Sequence, residues 1–150
     1  MTIATLLAEF DREMAGTRRI LECVTEERLA WKPHEKSSSL GNLANHLAAM
    51  PSFVAAVING SAKRMPETDS KAGLLAALDQ NIATGRTAIA GTNDEHLAAL
   101  VPALGMTRAE LLRVRVLSHM IHHRGQLTVY LRLLDVAVPG LYGPSADEKP

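Results

Sequence analysis

A single cysteine in 150 residues, Cys23, leaves nothing for an intramolecular disulfide or a CxxC metal site. A lone thiol of this kind reads as a buried or half-buried helix residue. Aromatic residues make up only 3% of the chain, so the core must be built from Leu, Ala, Val, Ile and Met. Strand-like runs of Val, Ile, Thr and Tyr are nearly absent, and Ala and Leu are strong helix formers, which points to an all-α protein. Sixteen basic residues balance sixteen acidic ones. Without a net basic field there is no bulk electrostatic basis for a nucleic-acid or membrane partner. No apolar run approaches the ~20 residues that span a bilayer. The N-terminus also lacks the charged-then-apolar layout of a signal peptide. The expectation is a soluble, cytoplasmic protein.

What the chain does contain is a 47% apolar content at the size of one domain. Four long helical segments can be read. The first runs from about Ile3 to Val24, with Ile3, Leu6, Leu7, Phe10, Met14, Ile20, Leu21 and Val24 near a helical period and Thr2 as N-cap. The second begins near Ser39 or Leu40 and runs to Asn59, where Gly60 ends it. Pro51 inside it removes one backbone bond and crowds the Leu47 carbonyl, which predicts a kink or break. The third spans about Lys71 to Ala90, capped by Asp69 or Ser70 and ended by Gly91. A loop with one short helix near Asp94 to Leu100 follows. The fourth starts at Thr107-Arg108-Ala109-Glu110, a capping box, and continues to about Leu134. The turn-rich tail from Val138 to Pro144 is non-helical. Residues 1–137 therefore read as one helical bundle and 138–150 as its tail, with four amphipathic helices packed in a single domain.

Six histidines fall in different settings. His34 and His96 lie in polar surroundings and read as exposed. His46 shares the apolar stripe of the second helix with Leu43, Met50, Phe53 and Val57. His119 and His123 fall within the inner stripe of the fourth helix, among Leu112, Val116, Met120, Leu127, Tyr130 and Leu134. Residues four apart differ by only ~40° around a helix, so the two imidazoles can offer nitrogens to one ion. Uncoordinated imidazoles facing an apolar core each need hydrogen-bond partners, and a metal removes part of that cost. Asn42, one turn before His46, is a candidate for shaping the surroundings of that ring. A single HxxxH pair is weak evidence, however, and a lone core histidine is usually only a hydrogen-bonded residue. Spacing also leaves His122 as a rival to His123, since His119 and His122 are three apart.

The run His119-Met120-Ile121-His122-His123-Arg124-Gly125-Gln126-Leu127 resembles the signature of the DinB-like, damage-inducible family. The tail from Pro139 to Glu148 resembles the ending found in one branch of it. Trp31-Lys32-Pro33, then serines, then Leu43-Ala44-Asn45-His46-Leu47, resembles the region that supplies its first metal ligand. The resemblance implies a four-helix bundle in up-down-down-up order, with the short extra helix before the last long one. It implies one divalent metal ion per chain, zinc or nickel, on His46, His119 and His123, and a homodimer. It also implies a stress-related protein, damage-induced rather than DNA-binding.

Three neutral nitrogen donors leave positions open on an ion, the layout of a catalytic site. Such an ion can activate water or a thiol. The resemblance extends to transferases and isomerases that use small thiols such as bacillithiol or mycothiol. The expected function is thus a metal-dependent enzyme acting on a small molecule by S-transfer; metal-assisted hydrolysis and non-catalytic metal or ligand binding are the alternatives. A pocket open to solvent beside the metal favours an enzyme, and a site closed by protein favours plain binding. The residues single out no general base: Glu9, Asp11, Glu13 and Asp79 could approach the site but read as solvated surface charges. Arg124 and Gln126 read as structural, with Arg124 in a salt bridge or capping a neighbouring segment. Gly125 reads as a point of close helix packing. Trp31 and Tyr142 are either at a pocket mouth or packing anchors.

Overall fold

The computed structural model describes residues 2–61 and 67–148, and the last two residues of the expected tail lie outside them. Helix α1 spans Ile3–Leu21, with Thr2 and Thr5 forming a reciprocal capping box. It ends three residues short of Val24, whose side chain is nevertheless fully buried. Residues 22–39 form the connection, with one 3-10 turn at Glu26–Arg28. Its carbonyls at Leu29 and Trp31 accept from the N–H groups of Gly41 and Leu40, so the connection satisfies donors in the first turn of α2.

Helix α2, Leu40–Ala49, is capped by Ser39. A 3-10 turn at Met50–Ser52 separates it from α3, Phe53–Asn59, which ends at left-handed Gly60 with φ 69°. The break falls where Pro51 predicts it. Its freed carbonyls find partners: Ala48 accepts from the side-chain amide of buried Asn81 at 2.9 Å, and Ala49 from the Ser52 hydroxyl at 2.8 Å. Helix α4, Lys71–Ala90, starts on Ser70 and stops at Gly91. It passes so close to the break that a Cβ on Gly85 would lie 2.7 Å from the Pro51 carbonyl and 2.9 Å from the Phe10 ring.

A short α5, Asp94–Ala98, leads into an unanticipated hairpin. Strands β1, Leu100–Val101, and β2, Met106–Thr107, pair antiparallel with Leu100 opposite Thr107. The chain then runs helically from Arg108 to Leu133. It comprises α6, Arg108–Leu111, a π-helical stretch, Leu112–Ser118, and α7, His119–Leu133. Thr107 and Glu110 form the expected capping box. The π stretch has a packing reason. Leu112, Val116, Met120 and Arg124 are each at most 1% exposed and spaced by four. In a regular α-helix that row would drift about 40° per step, roughly 120° in all. A π turn holds more residues than an α turn and keeps the row facing inward.

Helices α1 and α2 each pack chiefly against α4 and α7, so the first two long helices sit across the bundle from one another. Leu6, Phe10, Ile20, Leu47, Met50, Leu78, Met120 and Leu127 lie in the shared core. Among the described residues, no helix is long and apolar enough to cross a membrane.

The tail is tied to the bundle by charge. Asp147 takes two hydrogen bonds from Arg132 and one from the Val138 N–H, which pull its carboxyl down to about 2. Tyr142 stays largely exposed but turns its hydroxyl to Glu13, donating at 2.5 Å. Glu13 is 4% exposed, contrary to its reading as a solvated charge. It pairs at 2.6 Å with Arg124, which is 1% exposed and also donates to the Glu13 backbone, Thr17 and Tyr142. Gly16 leaves the room for that guanidinium. Gly125, by contrast, faces open space and mediates no helix contact.

Two stability measurements follow. Gly85→Ala gains about 1 kcal/mol of helix propensity. The contact with the Pro51 carbonyl outweighs it, so we expect a net loss of about 1–2 kcal/mol in denaturant unfolding. Glu13→Ala strands a buried guanidinium and should cost about 3–5 kcal/mol at neutral pH. Burial pushes the Glu13 carboxyl up, but hydrogen bonds from Tyr142 and Arg124, and the Arg124 charge, hold it below its ordinary 4.5. Its stabilisation is present above that value and is lost as pH falls through the lower folded pKa. The gap between wild type and Glu13→Ala should therefore narrow on acidification below 4.5; an unchanged gap would place Glu13 outside the stabilising network.

Candidate metal centre

The three predicted histidines meet. His46 comes from the last turn of α2, while His119 and His123 come from successive turns at the start of α7. One ligand-type nitrogen from each lies within 4.8 Å of the other two. The ring centroid of His46 is 5.4 Å from that of His119 and 4.8 Å from that of His123. The Nε2 atoms of His119 and His123 are 2.8 Å apart.

The arrangement is polarised by one hydrogen bond that the residue pattern did not assign. Nδ1 of His123 lies 2.7 Å from Oε1 of Gln126, one turn on. A carbonyl oxygen only accepts, so Nδ1 carries the proton and Nε2 presents its lone pair to the cluster. Burial pushes the His123 pKa below 6.5, with neighbouring His119 and His122 adding to the effect and Gln126 opposing it. A neutral ring with a directed lone pair is the form that ligates metal.

The donor set fits a divalent ion. Nitrogens on one tetrahedral ion at about 2.0–2.1 Å stand roughly 3.3 Å apart. That spacing falls between the 2.8 Å of the α7 pair and the 4.8 Å that bounds the cluster. His122 is exposed and outside the triad, with its ring 5.1 Å from that of His123. Asn42 takes no part; it lines a separate hollow with Leu29, Ser39 and Thr68. His34 is exposed as expected, whereas His96 is half-buried with Nε2 3.0 Å from the Ile58 carbonyl.

The acidic candidates are engaged with arginines. Glu9 pairs with Arg113, Asp11 with Arg86, and Asp79 with Arg18, while Glu13 holds Arg124. Trp31 and Tyr142 act as anchors: Trp31 packs edge-on against Tyr130 at 5.7 Å, and Tyr142 clamps the tail. Cys23 is half-buried, with its thiol directed to the Arg19 carbonyl and its pKa raised by burial.

A groove of about 780 Å³ opens beside the triad. His119 lines it, and so does Phe53, whose ring lies 6.5 Å from that of His46. His119 therefore borders a groove open to solvent that runs along α3 and the π stretch.

Comparison with known proteins agrees with this architecture. The family model of the DinB family matches residues 1–149. The uncharacterized protein YrdA of Bacillus subtilis (strain 168) is 26% identical over 154 residues, covering 98% of this chain and 92% of its own. A DinB-like protein from Bacillus cereus ATCC 10987 superposes with a TM-score of 0.79 at 26% identity, over 94% of this chain and 98% of its own. A DinB-like protein of Bacillus subtilis, YjoA, gives 0.77 at 21% identity, over 91% and 97%.

Gln126→Leu removes the bond that fixes the His123 tautomer. We expect divalent-metal affinity to fall about 10–100-fold, read by competition with a chromogenic chelator, with thermal stability little changed. Equal affinity in the two proteins would remove Gln126 from the site.

Proposed function

We propose that this chain, which belongs to the DinB family, holds one divalent metal ion, zinc or nickel, on His46, His119 and His123 and is a metal-dependent enzyme acting on a small molecule. The observation that carries the reading is the convergence of three imidazole nitrogens at the edge of a groove open to solvent. An ion bound there would supply Lewis acidity, lowering the pKa of a water or thiol beside it. The protein's own contribution is orientation. Gln126 aims the His123 lone pair, and the groove offers a small molecule an apolar wall beside His119.

Transfer from a low-molecular-weight thiol is favoured over hydrolysis by the state of the carboxylates. A water with no free carboxylate beside it depends on the ion alone for its ionisation. The four acidic residues on α1 and α4 that could approach are held by arginines instead. A thiol ionises more readily and attacks as thiolate without a base in the bond-forming step.

Purified protein should contain about one divalent ion per chain by elemental analysis. His119→Ala and His123→Ala should each lose it, while His122→Ala retains it. Unchanged content in the first two variants would end the triad reading. Metal-loaded protein, supplied with several small thiols and a haloarene, should release halide and form the thioether. No metal-dependent turnover with any thiol would shift the reading to hydrolysis or plain binding.

A further inference from the structure

The groove beside His119 carries a charge pattern that the metal site does not require. Its walls are apolar: Phe53 and Val57 from α3, Val101 and Leu104 from the hairpin, Leu111 and Val116 from α6 and the π stretch. Leu104 stands at the hairpin tip with 51% of its surface exposed, beside Gly105 in a left-handed turn. Two arginines, Arg108 and Arg115, also line the groove, and no Asp or Glu does.

Those arginines differ from their neighbour. Arg113 lies between them in sequence and is paired with Glu9 at 2.8 Å. Among the described residues, Arg12, Arg18, Arg19, Arg86, Arg124 and Arg132 are likewise paired, whereas Arg28, Arg108 and Arg115 make no ion pair, and of these three Arg108 and Arg115 border the groove. Arg115 stands four residues before His119, and both residues border the same opening. Arginine is the side chain best shaped to grip an oxyanion through two parallel N–H bonds. An apolar trough of this volume, with cations and no anions in its wall, complements a molecule that is apolar along its body and anionic at one end.

We propose that the groove binds a small organic acid, an apolar body with a carboxylate-type head, whose head is held by Arg108 and Arg115 and whose body lies on Phe53, Val57 and Leu111. The acid is the substrate only if the triad is the reaction centre, so in that respect the proposal rests on the proposed function. Binding itself needs the groove and the arginines alone.

Octanoate and its neutral isostere octanamide separate the two contributions. Titration calorimetry at low salt, on metal-loaded and chelator-treated protein, should show octanoate binding about tenfold tighter than octanamide, with the preference shrinking at high salt. In an Arg108→Gln/Arg115→Gln double variant the preference should vanish while octanamide binds as before, which also reports that the variant is folded. Ala56→Trp, placed in the groove wall, should weaken both ligands. Equal binding of the two ligands to the wild type, a preference that survives the double variant, binding that survives Ala56→Trp, or no octanoate binding at millimolar concentration would each overturn the proposal. Metal content is read on the same samples. A chain that takes up no divalent ion when loaded, yet still prefers octanoate, would sink the proposed function and leave this site standing; a chain that holds its metal but is indifferent to octanoate would do the reverse.

Discussion

The buried pairing of Arg124 with Glu13 sets the rotation of α7, and much of the site follows from that angle. A guanidinium at 1% exposure cannot be left without its carboxylate. Arg124 must therefore face α1, where Glu13 accepts from it at both side chain and backbone. The preceding residue on a helix lies about 100° around the axis. With Arg124 held toward α1, His123 is turned toward α2, and His119 follows one turn earlier. His46 waits on α2 at that angle. The same ion pair holds Tyr142, so the tail and the histidine face are fixed by one cluster of charges.

Two departures from regular helix complete the placement. The π stretch keeps Leu112, Val116, Met120 and Arg124 in one inward row, and it ends where His119 begins. The 3-10 turn at Pro51 lets α3 leave the line of α2, so that Phe53 and Val57 form a wall of the groove while His46 remains on the bundle side. The carbonyls freed at the proline break are taken up by Asn81 of α4 and by Ser52. Gly85 allows α4 to lie against that break.

Short-range chemistry was legible in the residues. The caps at Thr2, Ser39, Ser70 and Thr107 each depend on a hydroxyl within three positions of the N–H it accepts from. The Pro51 break and the Gly60 stop depend on one residue each. The triad was legible as a pattern, although spacing by itself left His122 open, since three and four residues both complete about one turn. What escaped depends on partners far along the chain. Glu13 looks like any helix-surface acid until Arg124, 111 residues later, is placed beside it. The π stretch has no residue signature, and its only trace is a fourfold spacing repeated once too often for an α-helix. Gln126 was within reach, being one turn beyond His123, but nothing in its type distinguishes a ring-orienting amide from a solvated one.

The groove was invisible for a different reason: it is made by two stretches far apart in sequence, 53–60 and 101–119, and its meaning lies in which charges are unmatched. Arg108, Arg113 and Arg115 read alike along the chain. Only the fold shows Glu9 turned to Arg113 while the other two border an apolar trough. The contrast with Arg124 is instructive. There a guanidinium is buried with its carboxylate, and its charge is consumed in fixing a helix. At the groove the guanidinium groups keep access to solvent, so their charge is available to a ligand at little desolvation cost. One side of α7 is thus closed by a matched ion pair, and its N-terminal approach is left open with unmatched cations. That division of rigid and receptive faces on a single helix is what allows the imidazoles to be held in place while a small molecule reaches them.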